Sequence, residues 1–101
     1  MPRQIQFEDC YGTTHPASYW QFDTIEIKPL ARIGRARWAG WSSKAAFDAG
    51  KEALREVIEA SCDGERFDVL KQKHFVDKID IGTLCYELAD EQGKFPNSTD
   101  V

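Results

Sequence analysis

The chain has 101 residues, 42% of them hydrophobic and 30% charged, with a net charge of −4. That length suits one domain with one core, and that composition excludes a disordered chain. The acidic balance argues against a dedicated nucleic-acid coat protein. The charge is uneven, however: Lys28 to Lys44 holds five bases and no acid, leaving eight bases against seventeen acids elsewhere.

Cys10, Cys62 and Cys85 are odd in number and widely spaced, which suits a reducing compartment better than a disulfide framework. The first residues lack the apolar run of a signal peptide, and no segment reaches the roughly 18 apolar residues of a membrane span. A cytoplasmic or virion location, with no membrane partner, is the expectation.

In chain order, residues 1–17 read as mixed and turn-rich, with Gly12 and Pro16 breaking regular structure and His15 held extended ahead of the proline. Ser18 to Lys28 carries Tyr19, Trp20, Phe22, Thr24, Ile25 and Ile27, the residue types of a strand. Its alternation changes phase. Either a bulge falls near Asp23 and Thr24 or both faces are covered, and coverage on both faces is the preferred reading. Pro29-Leu30-Ala31 forms the connection, and a second strand spans about Arg32 to Trp41. On it, Ile33, Arg35, Arg37, Ala39 and Trp41 share one face. Gly34, Ala36, Trp38 and Gly40 share the other, where the small residues leave room for a ring such as Trp20 or Phe22.

Ser42 to Cys62 supports two readings. Ser43 can cap a helix with Phe47, Leu54, Val57 and Ile58 near one stripe, but Gly50 disfavours its interior, and Val57-Ile58 before Asp63-Gly64 resembles a strand entering a turn. Phe67 to Val76 predicts a turn or two of helix. Asp80 caps a helix from Ile81 to Glu91, with Ile81, Leu84, Cys85 and Leu88 as its apolar stripe and Gly93 beyond its end. Residues 93–101 read as a loosely held tail. The fold class is therefore α+β: an antiparallel sheet of three or more strands with the C-terminal helix packed on one face.

Tyr-Gly-Thr-Thr-His-Pro-Ala-Ser-Tyr-Trp (11–20), Ala-Gly-Trp (39–41), Ala-Ala-Phe-Asp-Ala-Gly-Lys-Glu-Ala-Leu (45–54) and Phe-Pro-Asn-Ser-Thr-Asp-Val (95–101) together resemble small phage and prophage proteins of unknown function, often encoded among virion structural genes. The resemblance implies a strand near Arg55 to Cys62, against local propensity, and tips the choice that way. Ala53-Leu54 departs from the Pro-Leu expected there. No catalytic or ligand-binding residue carries over.

The residues that could do chemistry have bland readings. Cys10, His15, Cys62, His74 and Cys85 lack the close pairs of a zinc site, so no metal or cofactor is expected. His15 is read as a loop residue bonded to backbone, His74 as a surface or half-buried helix residue, and Glu87, Asp90 and Glu91 as a solvated face that frays the helix end. Gly34 and Gly40 belong to no phosphate loop. With no catalytic set, the expected function is non-catalytic. It would be contact with a protein, a second copy or a virion component, through the hairpin residues Arg35, Arg37, Trp38 and Trp41, since Arg and Trp are enriched as interface anchors. The runner-up is single-stranded nucleic-acid binding by the same ribbon, and the third reading is a small enzyme without a recognisable motif.

Overall fold

The computed structural model describes residues 2–100. Five strands, β1 (Arg3–Glu8), β2 (Thr14–Lys28), β3 (Ile33–Trp41), β4 (Val57–Asp63) and β5 (Thr99–Asp100), form one sheet in the order β4-β3-β2-β1-β5 with every neighbouring pair antiparallel. The helices are α1 (Lys44–Asp48), α2 (Gly64–Lys71), continued by a π-helical turn over Gln72–Val76, and α3 (Ile81–Glu91). The expected α+β class, antiparallel sheet and C-terminal helix are all present. No helix among the described residues is long and apolar enough to cross a membrane.

β2 runs for 15 residues because it serves two hairpins: its first part pairs with β1 and its second, from Tyr19 onward, with β3. The phase change in its sequence is a bulge. Phe22 faces Trp38 while Thr24 faces Arg37, so Asp23 is the extra residue. That single step returns Ile25 and Ile27 to the face of Trp20 and Phe22, where all four meet the core. The preference for two covered faces is corrected for most of the strand. It holds at Tyr19, buried on the opposite face with the Phe47 ring of α1 5.1 Å away.

On the core face, Trp20 lies against Gly40, where a Cβ would come within 2.6 Å of the indole. The buried Trp20 Nε1–H donates to Ser18 Oγ at 2.8 Å, and that hydroxyl donates to the Ile5 carbonyl at 2.7 Å, so a buried polar group on each of three residues is satisfied. Trp38 shares the core with Ala36 on its own strand and Ala60 on β4, small residues that face each other in register, and packs with Phe22, Tyr86 and Phe95 at 5.3–5.6 Å. Phe67 and Leu70 of α2 and Leu84, Cys85 and Leu88 of α3 close the layer.

The open choice over Ser42–Cys62 is settled in two pieces. Ser43 Oγ accepts from the Ala46 N–H at 3.1 Å and starts α1. Gly50, at φ +72°, takes the chain out of the helix, and the Leu54 N–H bonds the Gly40 carbonyl at 2.7 Å. Val57 to Asp63 is then strand, because Ile58 and Ala60 find their places opposite Trp38 and Ala36. α3 begins as expected, with Asp80 Oδ2 accepting from the Thr83 N–H at 3.1 Å.

Two expectations at the ends are corrected. The first segment, read as mixed and turn-rich with a loop at Tyr11–Pro16, supplies β1 and the start of β2; the turn is confined to the residues between Glu8 and Thr14, and His15 and Pro16 are already strand, while Met1 lies outside the described residues. Arg3 to Glu8 alternates, with Ile5 and Phe7 turned to the core, and Pro16 is tolerated because β2 has a neighbour on only one side before Tyr19. The segment from residue 93 is held rather than loose; Val101 lies outside the described residues. Phe95 is buried in the core. The Arg3 guanidinium, 5.1 Å above the Tyr86 ring, makes two bonds to Asp90 at 2.9 and 3.0 Å, one to Ser98 Oγ at 3.0 Å, and an ion pair with Asp100 at 2.9 Å. Asp90 therefore belongs to a fastening, as does Glu91, which receives Arg66 at 3.0 and 3.1 Å.

The Trp20–Gly40 contact makes a paired prediction. Trp20→Ala empties a core site and should cost about 3–5 kcal/mol, while Gly40→Ala overpacks the same site and should cost about 1–3 kcal/mol. In the Trp20→Ala background the added methyl should cost little or nothing, because the ring it would strike is gone. Urea melts of the four proteins measure this, and additive losses would contradict the contact.

Candidate protein-binding face

With the helices gathered on one face, the other face of the β2-β3-β4 sheet is covered only near Tyr19 and Trp41, where α1 lies. Alternation along β3 turns Arg35 and Arg37 outward to solvent and places Gly34, Ala36, Trp38 and Gly40 inward. The candidate set is thereby divided. Trp38 is 0% exposed and on the core side of the sheet, so it is removed from the binding face. Trp41 remains on the outer face but half-buried, its Nε1–H donating to the Lys51 carbonyl at 3.1 Å and its ring edge-on to Phe47 at 4.8 Å. Arg35 and Arg37 stay exposed beside a shallow groove of about 330 Å³ lined also by Thr24, Ile25 and Glu26.

The basic run does not form a basic surface. Arg35 is paired in register with Glu26, which also meets Lys28 at 3.5 Å, and Arg37 Nε donates to Glu59 at 3.0 Å. Arg32 is bonded to Asp68 of α2, which raises the guanidinium pKa and lowers that of the carboxyl. Each pair is exposed, so solvent and salt screen it. Together they give a face of alternating sign. Glu26 and Glu59 were missed in the sequence because the acids come from neighbouring strands, nine and twenty-two residues from the arginines they face.

A second polar cluster closes the β1–β2 turn. Asp9 Oδ1 accepts from the Tyr11 and Thr13 N–H groups at 2.9 Å each, and Asp9 Oδ2 lies 2.9 Å from His15 Nε2. His15 thus steadies the loop as expected, but through a carboxylate rather than the backbone. Glu56 Oε1 accepts the Cys10 N–H at 2.7 Å and ties the turn to the segment before β4. The same carboxylate raises the Cys10 thiol pKa, the wrong direction for a nucleophile. Cys62 and Cys85 are buried, and burial pushes Cys85 up to about 12. His74 is half-buried, with Nδ1 2.9 Å from the Ile79 carbonyl. Among the described residues no three His, Cys, Asp or Glu side chains gather as metal ligands.

The chain matches no known protein family, no curated protein and no solved structure. The resemblance to small phage proteins gains no support there.

Two measurements probe the turn. Asp9 has its pKa lowered below the ordinary 3.8, chiefly by the His15 bond and then by the Thr13 N–H. It is ionised in both states at neutral pH, so its contribution is complete there. Below the ordinary carboxyl range the unfolded chain takes up the proton first, and the contribution fades until folded Asp9 is protonated too. The stability gap between wild type and Asp9→Ala should therefore narrow as pH falls from about 5 to 3; a constant gap would contradict the stabilisation of the Asp9 carboxylate by its hydrogen bonds. Alkylation with iodoacetamide near neutral pH should modify Cys10 alone in the folded protein, and faster in Glu56→Gln, as read by peptide mass mapping.

Proposed function

We propose that the protein is a non-catalytic interaction module that binds another protein, a second copy or a virion component, through the outer face of the β2-β3-β4 sheet, with Arg35 and Arg37 at its centre and Trp41 at its margin. The observation that carries this reading is the in-register interleaving of Arg35 and Arg37 with Glu26 and Glu59. A face of mixed sign is complementary to a folded partner with its own pattern of charges, and such patterning selects partners and registers. A polyanion meets repulsion at every second position. The groove beside the arginines gives a partner side chain a place to enter, and the Arg stems supply apolar contact beneath their charges. The wider acidic charge of the chain points the same way.

The reading is tested by titrating labelled single-stranded oligonucleotide into wild type and Arg35→Ala/Arg37→Ala at low and physiological salt, with light scattering on the same samples. The expectation is no oligonucleotide binding at either salt and, for a self-associating face, a mass that falls to the monomer in the double variant. Micromolar affinity that collapses with salt and with the substitutions would replace the protein partner by a nucleic acid.

A further inference from the structure

The sheet's two edges are treated differently. β4 is partly shut by α3: Gln92 Nε2–H donates to the Ser61 carbonyl at 2.6 Å. On β1, among the described residues, β5 covers only Arg3 and Gln4. The Asp9 N–H bonds the Thr13 carbonyl in the same register as Phe7 opposite His15, so the ladder's alternation turns the main-chain groups of Gln6 and Glu8 away from β2, toward the uncovered side. Continuing β5 backward would lay Ser98 and Asn97 along that edge, but the chain leaves it: Asn97 has φ +54°, Pro96 has no N–H to give, and Phe95 dives into the core.

The edge left open lies between two cavities. One, of about 530 Å³, is polar and is lined by Gln4, Gln6, Glu8, Thr14 and Asn97 among others. The other, of about 410 Å³, has an apolar wall of Phe7, Val57 and Ile58. Ile5 and Gln6 line both, and three consecutive residues, Gln4 to Gln6 in one and Ile5 to Phe7 in the other, contribute to each. Successive side chains of a strand point to opposite faces, so consecutive residues line a cavity only where the strand turns its edge to it.

We propose that the Ile5–Glu8 edge of β1 is a docking site for an extended segment of a different polypeptide, added as a strand in the place β5 vacates. Its alternate side chains have two destinations: apolar ones the Phe7, Val57 and Ile58 wall, and polar or basic ones the amides and the Glu8 carboxylate of the other cavity. A bare strand fits this description. A second copy could offer an edge only at β4, β5 or the open part of β1, each carrying its own sheet behind it, whereas the open stretch is four residues long and asks for no more than a single extended segment. The inference does not rest on the arginine face, which lies across β2-β3-β4.

The test is selection from a pool of nine-residue peptides in which Val, Ile, Leu or Phe alternates with Lys, Thr or Gln, followed by amide hydrogen exchange on the full chain. An enriched peptide at ten times its Kd should slow exchange at Gln6 and Glu8 about tenfold, and should lose binding when the peptide nitrogens facing β1 are N-methylated. Gln6→Pro removes an edge donor and should abolish binding with the fold retained by circular dichroism. The methylated peptide keeps the test valid should that variant unfold. No enriched peptide, an enriched peptide that leaves Gln6 and Glu8 unprotected, or affinity that survives N-methylation would each overturn the proposal. Protection of these amides that rises with protein concentration, without peptide, would make the occupant a second copy and overturn it as well.

Discussion

The contact of the Trp20 indole with Gly40 is the constraint on which the rest of the sheet depends. The ring can lie against β3 only because no Cβ stands there, and its N–H can be buried only because Ser18 passes the hydrogen bond on to the Ile5 carbonyl. One side chain thereby fixes the register of three strands, β1, β2 and β3. A slip of one residue would place Ala39 or Trp41 where Gly40 must be and would turn the Arg35–Arg37 face inward. The bulge at Asp23 follows from the same demand. Without it, Ile25 and Ile27 would point away from the core that Trp20 and Phe22 begin.

Register in turn determines the electrostatics of the outer face. The arginines are two apart on β3, so both emerge on the side away from the core, and the antiparallel partners bring Glu26 and Glu59 beside them. Charge that looks like a basic ribbon along the chain becomes alternating charge across it. This is why a reading of charge by segment points toward nucleic acid more strongly than the folded face does, while the net charge of the whole chain points away from it.

The sequence made the β2–β3 hairpin and α3 legible because each carries its own local code: aromatic and β-branched runs around a Pro-containing connection in one, and an Asp cap, a 3.6-residue stripe and a trailing Gly in the other. The two faces of β3 were legible as well, since Gly34, Ala36 and Gly40 mark where rings must lie. What was not legible depends on partners distant in the chain. β1 is six residues with only two core-facing hydrophobes, and it is a strand because Ser18 and Trp20 receive it. The segment after Gly93 looks loose by composition, yet Phe95 and the Arg3 bonds hold it. Trp38 could be assigned to its face but not to burial, because the rings that enclose it come from β2, α3 and residue 95. His15 was recognised as structural, but its partner Asp9 was not, because the turn between them is what brings them together.

The same long-range closure explains why one sheet edge is open. β4 returns directly into α2, and the helical layer that follows ends at Gln92, within reach of the β4 edge. β1 has no such neighbour in the chain, and what covers it must arrive from residues 93–100. Those residues have two tasks that compete: delivering Phe95 to the core and pairing with β1. Burying Phe95 takes an aromatic ring out of water, a gain of about 2–3 kcal/mol, whereas each further ladder bond contributes about 1 kcal/mol net. A segment with Pro96 and Asn97 beside that phenylalanine cannot do both along its whole length. The core takes precedence, pairing survives only at Thr99 and Asp100, and the remaining edge of β1 is left to an outside strand.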